Sequence, residues 1–160
     1  MNLDAVVTKG RLPWKPCPDV SDLAVWHQYE HPLSGTFTTK AGTVLFAVVD
    51  GVESDVSVWA YACLERDEAQ ELVDVTFESR EDLRDFVDAT LSSHRLVLAL
   101  ASDLLITEWS VADRIGPIYE VTADFLKHVL AERLRHKDPR AKVHAQLAWV
   151  SASTPEHVDA

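Results

Sequence analysis

Two histidine spacings in this chain have the form of a metal site. His27 and His31 stand four residues apart. On a helix that spacing would bring both rings to one face, as a zinc-binding helix requires. Here the neighbours Val25, Trp26 and Tyr29 alternate as a strand does, and Pro32 follows directly. Four strand steps span roughly 13 Å, whereas zinc–nitrogen bonds are about 2 Å, so the pair does not make a zinc site. His128, Glu132 and His136 follow at i, i+4 and i+8 in a helix-like stretch. Each step of four rotates by about 40°, so they form a slanting surface stripe, with no Cys or Asp cluster nearby to complete a coordination shell. No metal and no cofactor is expected.

Nucleophiles and phosphate cradles are equally unmarked. Cys17 lies between Pro16 and Pro18, and Cys63 falls in an apolar strand. A reactive cysteine wants a neighbouring base or a helix N-terminus, so both read as reduced thiols. The five glycines are Gly10, Gly35, Gly42, Gly51 and Gly116, none closer than seven residues to the next, which excludes a P-loop and a dinucleotide fingerprint. Ser34-Gly35 lacks the rest of a G-x-S-x-G elbow. No catalytic residue is assigned. Among many carboxylates, Glu108 has the setting that general acid–base work requires, an acid within an apolar strand. With Trp109 it forms the candidate pocket of the chain. The five tryptophans, Trp14, Trp26, Trp59, Trp109 and Trp149, read chiefly as core packing, with one or two available to line a pocket or anchor an interface.

Charge is the most informative feature. The 160 residues carry a net charge of -11. Residues 1–49 are neutral, with four acids and four bases, whereas residues 50–88 hold 13 acids against three bases, Arg66, Arg80 and Arg84. A basic cluster follows at Lys127, Arg133, Arg135, Lys137, Arg140 and Lys142. Neutralising phosphates needs a basic face, so general nucleic-acid binding is not expected. No apolar run reaches the roughly 18 residues of a membrane helix. Asp4 stands where a secretory signal would carry bases, so a cytoplasmic, bacterial-type protein is expected.

The elements that would position these residues are legible from periodicity. Residues 1–22 read as an irregular lead-in broken by Pro13, Pro16 and Pro18. Arg11-Leu-Pro-Trp-Lys-Pro has PxxP spacing, which fits either a polyproline ligand or, better, a loop that tucks Trp14 onto the core. Strands are expected at 23–30, 35–40, 43–50 and 56–64, with Ala41-Gly42 as a turn and 51–55 as an acidic loop. The last strand alternates Val56, Val58, Ala60 and Ala62 against Ser57, Trp59, Tyr61 and Cys63; both faces are fairly apolar, which marks it as central. A short helix is expected at 66–73. A stronger one begins at the cap Ser79, with Leu83, Phe86, Val87, Thr90 and Leu91 on one face. A hairpin at 95–101 and 104–110 follows, then a helix at 122–137 that buries Phe125, Leu126, Val129, Leu130 and Leu134, then a closing strand at 142–150 and a frayed tail at 151–160. Antiparallel strands and clustered helices give an α+β fold, as one domain over 23–150.

Together these features predict a non-catalytic, acidic interaction module of the accessory, inhibitor or antitoxin kind, with a basic protein partner. Glu81, Asp85 and Asp88 on the outer face of the second helix would meet that partner. Arg133 and Arg135 are the other candidate contacts. Homo-oligomers fit the same pattern. The alternative is a small-ligand domain or an enzyme whose site no motif marks.

Overall fold

The computed structural model describes residues 6, 10–53 and 55–136, with side chains at all of these except 52, 53 and 133–136. The expected closing strand 142–150 and the tail lie outside the described residues, as does Trp149. Six strands form one antiparallel sheet in chain order: β1 Ser21–Tyr29, β2 His31–Thr39, β3 Gly42–Glu53, β4 Val56–Cys63, β5 Leu96–Ser102 and β6 Leu105–Val111. The helices are α1 Arg66–Glu71, α2 Arg80–Leu91 and α3 Ile118–His136. The fold is α+β, as the periodicity predicts.

β4 lies between β3 and β5, and its two faces do different work. Val58, Ala60 and Ala62 face the helices, where Leu83, Val87 and Leu91 of α2 and Val121, Phe125, Leu126, Val129 and Leu130 of α3 meet them. Small sheet residues there leave room for the large helical ones. Trp59 and Tyr61 point the other way and join Phe37, Phe46, Val97 and Ala99. Among the described residues no helix covers that face, so the sheet itself supplies the bulk. Each fully buried large side chain contributes roughly 1.5–3 kcal/mol.

The lead-in closes this second face. Val6 and Cys17 are buried, and Trp14 packs on the cluster. Tyr61 donates its hydroxyl to the Pro13 carbonyl at 2.8 Å, and Gly10 and Arg11 exchange backbone hydrogen bonds with Ile106 at 2.7 and 2.9 Å. Leu12 bridges Lys15 across a tight turn, with Lys15 N–H on the Leu12 carbonyl at 3.0 Å. The PxxP stretch is therefore a folded strap that presents Trp14 inward, not an extended ligand.

Several boundaries differ from the sequence expectation. α3 starts at Ile118 rather than at residue 122, because the Pro117 carbonyl accepts the first helical bond, from Val121 at 3.1 Å. β2 starts at His31 rather than at Gly35. Glu30, at φ 64, reverses the chain so that Tyr29 pairs His31; His27 and His31 thus occupy neighbouring strands, not one. β3 runs through the expected acidic loop to Glu53, with register shifts between Val48 and Asp50 and between Gly51 and Glu53. The β5–β6 turn is Asp103-Leu104, both at positive φ (50 and 63), the backbone signature of a type I′ hairpin.

Candidate functional site

The acidic stretch folds into the α1–α2 hairpin. From Glu65 to Asp88 it carries ten carboxylates, and all but Glu68 are exposed. Ser79 caps α2, its hydroxyl accepting the Asp82 N–H at 3.0 Å. That cap fixes the helical register, which buries Leu83, Val87 and Leu91 and turns Glu81 and Asp85 outward. The one partly covered acid, Glu68, accepts the Glu65 N–H at 2.9 Å and His94 Nε2 at 2.9 Å, tying α1 to the residues after α2. Beside the hairpin, Val73 and Ile115 are 63% and 58% exposed and flank an open cleft of about 810 Å³.

Of the other residues singled out in the sequence, Asp88 is also exposed but lines a cleft beneath α2. Burial there pushes its carboxyl up; Arg84 opposes the rise and Asp85 adds to it. Arg133 and Arg135 fall within α3, and their side chains lie outside the described residues. Glu108 and Trp109 stand on β6 opposite Leu100 and Ala99. Trp109 packs against the strap-covered face, and neither residue lines the clefts described in this section. His128 sits at a cleft of about 320 Å³ with Ser110, Asp113, Arg114 and Asp124. Arg114 is already engaged there by Asp124, at 3.2 and 3.3 Å. The His136 side chain lies outside the described residues. Among the described residues no three His, Cys, Asp or Glu side chains gather as a metal site.

The cysteines are unsuited to nucleophilic work. Burial, reinforced by Asp19, pushes the Cys17 thiol up to about 12. Burial pushes Cys63 up to about 11. A thiol so raised holds almost no thiolate near neutrality.

The cleft beneath α2 was not legible in the sequence. It encloses about 250 Å³ and brings together His27 of β1, Ser34 of β2 and Arg80, Arg84 and Asp88 of α2. A β-bulge makes it possible. Val25 pairs Gly35 and His27 pairs Ser34, so Trp26 is an extra residue in β1. A bulge re-aims the side chains beside it, and here Trp26 and His27 both serve the helical side. Trp26 packs edge-on against Phe77 and Phe86, with ring centroids 5.4 and 5.8 Å apart, while His27 lines the cleft. Gly35 permits the bulge, because a Cβ there would lie 2.0 Å from the Ala24 carbonyl oxygen.

The chain matches no family model, no curated protein and no solved structure. Its chemistry therefore rests on its own geometry.

Proposed function

We propose that this protein is a non-catalytic interaction module that presents the acidic α1–α2 hairpin to a basic surface of a protein partner. One observation carries the reading: nine exposed carboxylates lie between Glu65 and Asp88, on α1, α2 and the segment that joins them. Charge concentrated in this way raises the rate of encounter with an oppositely charged partner. The exposed apolar pair Val73 and Ile115 beside it has the character of the anchor that such an interface needs at its centre.

The test is a pull-down at low and high salt with the intact chain as bait, followed by kinetics on the partner recovered. Reversing Glu81, Asp85 and Asp88 to Lys together is expected to slow association about tenfold or more and to flatten its salt dependence. Unchanged association in the triple variant would overturn the proposal.

A second reading, a small-ligand site that no motif marks, is favoured by the cleft beneath α2.

A further inference from the structure

We propose that the cleft between the β1–β2 hairpin and α2 binds a small-molecule phosphomonoester, held by Arg80, Arg84, His27 and the hydroxyl of Ser34. The inference deepens the small-ligand reading and rests on a different lining from the acidic docking surface, with which it shares only Asp88.

Charge is the first argument. The hairpin region from Glu65 to Asp88 contains three bases, Arg66, Arg80 and Arg84. Two of them stand one turn apart on α2 and line this one cleft. Arg84 acts electrostatically on Asp88, but neither arginine closes a salt bridge with a carboxylate among the described residues. A surface this acidic offers guanidinium groups many partners, yet these two converge on a hollow with His27. Guanidinium forks match phosphate oxygens geometrically, and a phosphomonoester carries close to two negative charges at neutral pH.

The second argument is Ser34. It is only 7% exposed, and it lines the cleft. Its direction follows from register. Ser34 pairs Ala47, whose side chain belongs to the helix-side core, while the preceding Leu33 joins the strap-side cluster. The hydroxyl therefore faces α2 and the two arginines. A phosphate oxygen in the cleft would lie where that hydroxyl can donate to it.

The rest of the lining sets the remainder of the ligand. Leu83, Val87 and Ala47 make an apolar strip that suits a short carbon skeleton. Asp88 closes one end with a carboxyl that can bond a ligand hydroxyl. A volume of about 250 Å³ accommodates a phosphoryl group on a few carbons and excludes a whole nucleotide from full burial.

The experiment is an amide chemical-shift titration of the full chain with glycerol 3-phosphate, inorganic phosphate and glycerol at matched ionic strength. Saturable shifts at His27, Ser34, Arg80 and Arg84 with glycerol 3-phosphate, and none with glycerol, are the expected result. The Arg80→Gln/Arg84→Gln variant should raise the dissociation constant at least about tenfold while keeping its dispersed spectrum. Ser34→Ala should weaken binding severalfold. Inorganic phosphate binding as tightly as glycerol 3-phosphate would overturn the assignment of a phosphomonoester in favour of a plain anion. No saturable shift, or shifts indifferent to the arginine variant, would overturn the site itself. Neither result decides the acidic docking surface, whose test reads partner association, and the Glu81 and Asp85 reversals leave the cleft lining intact.

Discussion

His94 Nε2 stands 2.9 Å from Glu68 Oε1, while its Nδ1 stands 2.7 Å from the Thr90 carbonyl oxygen. Both ring nitrogens face acceptors, so the doubly protonated imidazolium is the form that satisfies the geometry. Burial opposes charge on His94, but the bonds to Glu68 and Thr90 outweigh it, and its pKa rises above 6.5. Glu68, also opposed by burial, is held below 4.5 by its bonds to His94 and the Glu65 N–H.

The sign of the pH dependence follows. The histidine's contribution is complete below its unfolded value of 6.5 and is lost as pH rises through the higher folded value. The glutamate's contribution is complete above 4.5 and is lost as pH falls through the lower folded value. The pair therefore stabilises most between pH 4.5 and 6.5. Glu68 is 38% exposed at its side chain, so solvent screening keeps the contribution below about 1 kcal/mol. Thermal melts of the wild type and His94→Gln should differ by a few degrees in that window, about 2–4 °C at most, and converge by pH 9. A difference independent of pH would show that the ring acts by packing alone.

Tyr61→Phe tests the strap. The hydroxyl is buried and donates to the Pro13 carbonyl at 2.8 Å. Removing the donor leaves a covered carbonyl unsatisfied, at a cost of about 1–3 kcal/mol. Urea unfolding should show the lower midpoint, and trypsin should cut after Arg11 faster than in the wild type.

Gly35→Ala tests the bulge. The new Cβ would meet the Ala24 carbonyl oxygen at 2.0 Å, and its nearest neighbours are all backbone atoms of Ala24 and Val25, with no flexible side chain to give way. A loss of about 3 kcal/mol or more is expected, together with faster amide exchange in β1. Loss of the Trp26 contacts with Phe77 and Phe86 should shift tryptophan emission to the red. A variant as stable as the wild type would mean that β1 can slide away without penalty.

The elements were legible wherever period and burial coincide. β4 announces its central place by being apolar at both Val58 and Trp59, and α2 by its Ser79 cap and its Leu83–Val87–Leu91 face. The start of α3 was hidden because Tyr119 is exposed and so adds nothing to the apolar rhythm. The stripe of Glu81, Asp85 and Asp88 is visible as a spacing of i, i+4 and i+7. The cleft is not, because His27 and Ser34 meet Arg80 and Arg84 only through a strand pairing, a bulge and a helix crossing. One clue stood in the sequence: two of the three bases in the acidic stretch are four apart on the same predicted helix.

The strap also sets a timetable. Its backbone partner Ile106 lies about 95 residues along the chain from Gly10 and Arg11. At ordinary elongation rates the ribosome needs roughly five to twenty seconds to make that intervening length. Until then the strap can reach Tyr61 and Trp59 only through Pro13 and Trp14, without the β6 anchor that fixes it over the aromatic face, and closing so distant a contact is entropically slow. The nascent chain therefore passes through a sticky phase that ends when β6 emerges, and a chaperone that shields aromatic surface should raise the yield of folded protein most during that phase.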